Sequence, residues 1–330
     1  MKELILLVIG VLIIAYILDK KPPLPTKEGI EIIRDVRYSN HVINEEYTKH
    51  VEKLIKILKE LNPLKHPVVW TYIEVQDENK GIQLLNKKYS IPVYFERCIE
   101  KLKENSPNLV VLTPYNINIY LPDFPIKMDH NSRIPLRKRI DLIFSFILYE
   151  YGGICVSPGT IIYKTEPLVN KLFNHDIITV GSSPRLINNI DYSREPNTYI
   201  LASKPRTPFI SEYKRLLLMT VMNNDLYRLI NQESYDILKN VLKENKVNQY
   251  HFGPKYDGTY NNNHRLLDIS DYLGNEKINF LEPKKLFAVS VPYDILYLRE
   301  NYHWYLRLSE YQFNRSKLEI NRLLKLVSFT

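Results

Sequence analysis

Residues able to do chemistry gather in two stretches of this 330-residue chain. The first is 137–160, RKRIDLIFSFILYEYGGICVSPGT. Its glycine doublet, Gly152-Gly153, leaves the backbone open to close approach by a ligand, and a carboxylate, Asp141, lies three helical turns upstream. A plain helix cap is the other reading of the doublet, and an ion pair with Arg137 or Lys138 the other reading of Asp141. The second stretch is 250–260, YHFGPKYDGTY. It supplies an imidazole, His251, and a carboxylate, Asp257, both groups that can take a proton from a hydroxyl. Asp257-Gly258 is equally a strong turn signal.

Several elements must position these groups. Leu142, Ile143, Phe146, Ile147 and Tyr151 recur at helical spacing, and Arg137, Lys138, Arg139 and Glu150 are expected on a wet side. Gly152 is placed to end that helix. Ile154, Cys155 and Val156 then form a short buried strand that stops at Ser157-Pro158-Gly159. Upstream, PVVWTYI (67–73) reads as a strand, 93–105 as a helix with Phe95, Cys98, Ile99 and Leu102 inward, and NLVVLT (108–113) as a second strand. Downstream, 177–181 is a strand, 208–222 an amphipathic helix and 314–327 a terminal helix. Strands about 40 residues apart with helices between them predict an α/β domain with a mainly parallel sheet. Ligands in such sheets bind beyond the strand carboxyl ends, which selects 70–74, 113–116 and 157–160 as rim residues.

Composition narrows the partners. Charged residues make up 25% and hydrophobic residues 45%, the balance of a globular protein. The formal charge is +8, which suits an anionic partner such as a sugar nucleotide or a phospholipid face. The basic residues are scattered without a Lys/Arg block, which argues against nucleic acid. Cys98 and Cys155 both lie in apolar settings and read as buried free thiols; a disulfide-rich scaffold is excluded, a single bridge is not.

The chain is expected to divide into an anchor (1–21), a linker and stem helix (22–62) and one large domain (63–330). Residues 4–18, LILLVIGVLIIAYIL, are uncharged and apolar, roughly 22 Å long as a helix. Flanking lysines can snorkel to make up the bilayer thickness. A retained single-pass anchor is expected, with a cleaved signal or a buried helix as alternatives. Lys20, Lys21 and Lys27 against Lys2 favour a cytoplasmic domain, whereas a Golgi-type signal anchor would place it in the lumen. Orientation stays open. Pro22 to Pro25 is a stiff spacer, and Val42, Tyr47, Val51, Leu54, Leu58 and Leu61 trace the stem helix, ended by Asn62-Pro63.

Three segments, VVWTYIE (68–74), PVYFERCIEKLKENSPNLVVLTPYNINIYLPD (92–123) and RIDLIFSFILYEYGGI (139–154), occur in an order and spacing that resembles GT-A glycosyltransferases. The similarity is to the capsular polysaccharide synthesis type and its relatives with a DXD sugar-binding motif. The resemblance implies a GT-A-like, Rossmann-like, mainly parallel sheet flanked by helices. It also implies transfer of a sugar from a nucleotide-sugar donor to a glycan or lipid-linked acceptor. On that reading Trp70 or Tyr72 stacks on the nucleotide base, though Trp70 suits a core position as well. Asp141 hydrogen-bonds the donor sugar, Gly152 and Gly153 cradle the nucleotide, and Ser157 lines the donor site. Asn197 either binds a sugar hydroxyl or makes a turn. Asp257 is the first candidate for the base that deprotonates the acceptor, and His251 the second.

Two positions depart from that pattern. Where D-x-D would hold a divalent metal (Mn or Mg) against the diphosphate, this chain has Ser157-Pro158-Gly159. Where an arginine often follows the helix aspartate, it has Phe144. The expectation is therefore either a metal-independent enzyme, with Lys164, Arg185 or Lys204 as diphosphate clamp, or a non-catalytic descendant. The latter would bind glycan or nucleotide, or serve as a membrane-associated assembly factor.

Overall fold

A computed structural model describes residues 67–74, 91–114, 116–125, 134–181, 196–222, 234–244 and 247–327. The expected anchor, the stem helix and Arg185 lie outside the described residues. No helix among the described residues is long and apolar enough to cross a membrane.

The chain runs through β1 (Val69–Tyr72), α1 (Val93–Glu104), β2 (Leu109–Leu112), α2 (Ile117–Tyr120), α3 (Leu136–Tyr151), β3 (Gly153–Val156), β4 (Thr160–Ile162), α4 (Glu166–Asn174), β5 (Ile177–Val180) and β6 (Asn197–Ser203). It continues through α5 (Pro208–Met222), α6 (Ser234–Glu244), β7 (Gln249–Phe252), α7 (Ile269–Leu273), β8 (Ala288–Ser290), α8 (Asp294–Leu298), α9 (His303–Leu306), α10 (Glu310–Arg315) and α11 (Glu319–Lys325). The main sheet has the order β2-β1-β3-β6-β5-β7. β1, β2 and β3 are parallel, and β7 is parallel to β5. β6 is antiparallel to both β3 and β5, so it alone runs backwards. β4 and β8 form a separate antiparallel pair. The result is a mixed α/β domain with a largely parallel central sheet flanked by helices, as the alternation of strands and helices predicts.

Side-chain alternation divides the interior. Trp70, Tyr72, Cys155 and Leu201 face a core shared with α3 and α5. Val69, Ile154, Val156 and Ile200 face the opposite core, closed by Leu168 and Leu172 of α4. The two cysteines are free and buried, as expected.

Three local expectations need correction. First, α3 has no wet side at its start. Lys138 and Arg139 are buried. Arg139 Nη2 reaches Glu74 Oε2 at 2.7 Å, and Arg137 pairs with Asp141 one turn along. Basic side chains expected in solvent are instead matched to carboxylates at the sheet edge. Second, the terminal helix is two helices, α10 and α11. Asn321 Nδ2 donates to Phe313 O at 2.8 Å, which occupies a carbonyl of the last turn of α10, and Ser316 and Leu318 are extended.

Third, the glycine doublet serves packing. Gly152 (φ +67°) ends α3, its N–H donating to Leu148 O at 3.0 Å. A Cβ there would meet Pro205 Cδ at 2.7 Å and Ser203 O at 2.9 Å. Gly153 (φ +103°) begins β3, and a Cβ on it would sit on the Val68 carbonyl oxygen. That carbonyl accepts Ile154 N at 2.9 Å, the first bond joining β3 to β1. What approaches the doublet closely is therefore the neighbouring strand. Gly153→Ala should cost about 3 kcal/mol or more, combining a steric clash with a disfavoured φ. Thermal unfolding against the parent chain measures it; a midpoint shift of only about a degree would contradict the assignment.

Candidate functional site

β1, β2, β3, β5 and β7 direct their carboxyl ends to one edge, and β6 begins there. β2 and β3 lie on opposite sides of β1, so the strand order reverses at β1. In open α/β sheets a crevice for ligands forms beyond the carboxyl ends at such a reversal. The edge carries Glu74 after β1, Ser157 after β3, Gly181 after β5 and Asn197 at the start of β6.

The amino end of α3 brings Arg137 and Asp141 to this edge. Arg137 Nε lies 3.3 Å from Asp141 Oδ2 and 3.2 Å from Thr198 Oγ1, to which Nη2 also donates. The guanidinium carbon stands 3.8 Å from the centre of the Tyr199 ring, and the Tyr293 ring lies beyond at 6.0 Å. Tyr199 Oη donates to Asp294 Oδ1 at 3.2 Å. Thus a cation lies between one buried and one half-buried carboxylate, over an aromatic face. Burial opposes the charge on Arg137, but Asp141, followed by Tyr199, Tyr293 and Asp294, outweighs it and holds its pKa high. Burial lifts the Asp141 carboxyl above its usual range, against the lowering pull of Arg137 and the Ser234 and Thr198 hydroxyls. Asp141 is 2% exposed, and its Oδ1 has no well-aligned donor.

A second cluster adjoins the first through β6. Asp257 is fully buried, with Oδ2 accepting Asn197 Nδ2 at 3.0 Å and Oδ1 accepting Thr259 Oγ1 at 2.8 Å and Thr259 N at 3.3 Å. Asn197 Oδ1 accepts Tyr199 N at 2.9 Å. Gly181 (φ +75°) packs so closely that any side chain there would collide with Asn197 and Asp257. Burial, only partly offset by these hydrogen bonds, pushes the Asp257 pKa up to about 6.

The residues singled out from sequence separate clearly. Asp141, Ser157, Asn197 and Asp257 come together at the carboxyl edge. Gly152 and Gly153 lie at the opposite end of α3, roughly 16 Å along the helix axis from Asp141. They therefore cannot share a pocket with it. Trp70 and Tyr72 are fully buried, leaving neither a face to stack on a base. Trp70 donates Nε1 to Gly152 O at 2.9 Å and packs on Tyr120 and Tyr151, which is the core position. His251 is half-buried, with Nδ1 3.0 Å from Thr179 Oγ1 on the paired strand. Asp257 and Asn197 are both committed to internal hydrogen bonds, and 254–258 is the turn that Asp257-Gly258 signals. Lys204 follows β6 at the far edge and pairs with Asp176 at 3.0 Å. Lys164 lines a separate groove of about 570 Å³ beside α4.

Ser157, Pro158 and Gly159 are wholly buried. Gly159 packs against Tyr293, the Tyr293 hydroxyl faces Ser157, and Tyr94 Oη donates to Gly159 O at 2.5 Å. Side chains, rather than open space, occupy the surroundings of this turn. No group of three or more His, Cys, Asp or Glu able to hold a metal ion occurs among the described residues. Sequence reasoning missed Arg137 as a site cation, along with Thr198, Tyr199, Tyr293 and Asp294. Thr198 and Tyr199 follow Asn197 directly, so strand alternation beside a named residue was the available signal. Nothing local marks Tyr293 or Asp294, which arrive from more than 130 residues downstream of Ser157.

Compared with known proteins, the chain matches no protein-family model and no curated sequence.

The Asp257 carboxyl gives a signed pH prediction. Its folded pKa of about 6 exceeds the unfolded value near 4. Between those values the folded chain binds more protons, so this group's contribution favours folding more as pH falls through 6 and less as pH rises. The effect is bounded at about 3 kcal/mol. Urea unfolding at pH 7, 6 and 5 should show this component in the parent and not in Asp257→Asn. The same slope in both would remove Asp257 as its source.

Proposed function

We propose that the chain is a membrane-anchored, glycosyltransferase-like protein of the GT-A type. In this reading it holds a nucleotide sugar at the carboxyl edge between β1 and β3. It transfers the sugar to a glycan or lipid-linked acceptor without a metal at 157–159. One observation carries the reading: the Asp141–Arg137 pair, on the helix the resemblance singles out, stands at the carboxyl edge of the sheet against β6, one strand beyond the β1–β3 reversal where such sheets bind ligands. Asp141 Oδ2 is engaged by Arg137, so Oδ1, which has no well-aligned protein donor, is the oxygen left to accept a sugar hydroxyl. Arg137 supplies a cation at the same edge, a preorganised charge able to stabilise a leaving diphosphate. Asp257 has both oxygens engaged by protein donors, so it fits a scaffold role better than that of a base. Asp294, half-buried beside the Arg137 cluster, is the more accessible carboxylate for deprotonating an acceptor.

A second reading, a descendant that binds nucleotide or glycan without transfer, is favoured by a specific observation. Tyr293 and Tyr94 pack onto the turn where metal ligands would stand. Incubating the full chain in detergent with a panel of nucleotide sugars, in Mn²⁺ or in chelator, separates the two. The transferase reading expects donor hydrolysis that survives chelation and falls at least about a hundredfold in Asp141→Asn and Asp294→Asn. Thermal stabilisation by a donor without hydrolysis supports the binding reading. Neither signal across the panel rejects both.

A further inference from the structure

We propose that the groove between α9 and α10 is a separate surface site for a neutral sugar ring, with Trp304 as its stacking platform. The groove is open to solvent, has a volume of about 660 Å³ and is lined by Glu300, His303, Trp304, Arg307, Leu308 and Gln312. That volume falls within the range of small-molecule sites. The chain has two tryptophans. Trp70 is fully buried, whereas Trp304 is 46% exposed. An aromatic of this size left half in water has an unused apolar face.

The groove is built on a fixed support. Tyr305, next in sequence, is buried and donates its hydroxyl to Asn321 Oδ1 at 2.9 Å. A reciprocal cap at Ser309 sets the start of α10: Ser309 N donates to Gln312 Oε1 at 3.0 Å, and Gln312 N donates to Ser309 Oγ at 3.3 Å. This leaves the Gln312 amide nitrogen without a protein acceptor among the described residues. His303 donates Nε2 to Tyr297 O at 2.8 Å, so in the neutral ring Nδ1 is left as an acceptor. Neither the Arg307 guanidinium nor the Glu300 carboxylate has a hydrogen-bond or ion-pair partner among the described residues.

An apolar ring face flanked by planar donors and acceptors matches a pyranose. One face of the sugar presents C–H groups to the indole, while its hydroxyls offer donors and acceptors in adjacent pairs. Guanidinium and carboxylate groups can each engage two such hydroxyls. The lining combines one carboxylate, one guanidinium and one imidazole, so its charge is close to balanced. That balance selects a neutral ring over a sulfated chain or an anionic bilayer. The site shares only its ligand class with the proposed function and stands apart from Asp141.

Tryptophan fluorescence tests this directly, since acrylamide reaches Trp304 and not Trp70. The full chain is titrated with neutral oligosaccharides of glucose, N-acetylglucosamine, galactose and mannose, and separately with vesicles containing phosphatidylserine. At least one oligosaccharide should shield Trp304 saturably. Trp304→Ala, which lacks the probe and is followed by calorimetric titration instead, should abolish binding, and Arg307→Ala, read through the retained indole, should weaken affinity about tenfold. Both variants should keep the parent's unfolding midpoint and any Asp141-dependent donor hydrolysis. The proposal is overturned if no oligosaccharide shields Trp304, if the vesicles alone shield it, or if Arg307→Ala binds as the parent does. Loss of donor hydrolysis with sugar shielding intact would instead reject the transferase reading and leave this one standing.

Discussion

The contact between Gly153 and the carbonyl of Val68 sets the rest of the structure. A strand entering beside β1 with any side chain at its first residue would be held away from that carbonyl, and the Ile154 N to Val68 O bond could not form. With the bond in place, β3 takes its register against β1 at one side and β6 at the other. Trp70 ties the same corner together by donating to Gly152 O. Four residues further along β3, that register delivers Ser157 to the level of Asp141 and Thr198. The doublet thus positions the candidate site from its opposite end.

At the carboxyl edge, electrostatics takes over from packing. Arg137, Arg139, Glu74 and Asp141 leave water together, and each charge has a partner in reach. Breaking such a pair by removing one member strands the other and costs roughly 3–5 kcal/mol. Replacing both by apolar groups is often tolerated, so stability by itself gives little reason to keep charges there. On the proposed function, these charges would serve recognition at the carboxyl edge. The fully engaged Asp257 differs in kind: its hydrogen bonds to Asn197 and Thr259 hold the β6 entry and the 254–259 turn as one unit.

The C-terminal helices add a surface of different chemistry. Within the sheet domain, most large aromatic rings are taken up by the core, with Trp70, Tyr72, Tyr94, Phe95 and Tyr293 all buried, although Phe173 of α4 is exposed. Past Leu298 the helices are short, from four to seven residues, and Trp304 and Tyr311 remain exposed. Short helices bury a narrow stripe each, Tyr305 and Phe313 here, which leaves their opposite faces open to a ligand.

The sequence alone determined the order and type of the main elements. β1, α1, β2, α3, β3, β5 and α5 fall where periodicity and turn residues put them, because local hydrophobic spacing reports local geometry. It also selected the aspartate of α3, the Asp257-Gly258 turn and the burial of both cysteines. Tertiary structure decided what each of these touches. The reversed direction of β6 comes from pairing between distant strands, and nothing in NTYILAS encodes a direction. Arg137 reads as solvent-exposed from its helical position, yet meets Thr198 and Tyr199, which lie about sixty residues away. Tyr293 fills the space over Ser157 only because β8 pairs with β4. The glycine doublet was legible as a close approach, but its partner was not: the missing side chain specifies that something comes near, and only the folded sheet specifies that it is the backbone of β1.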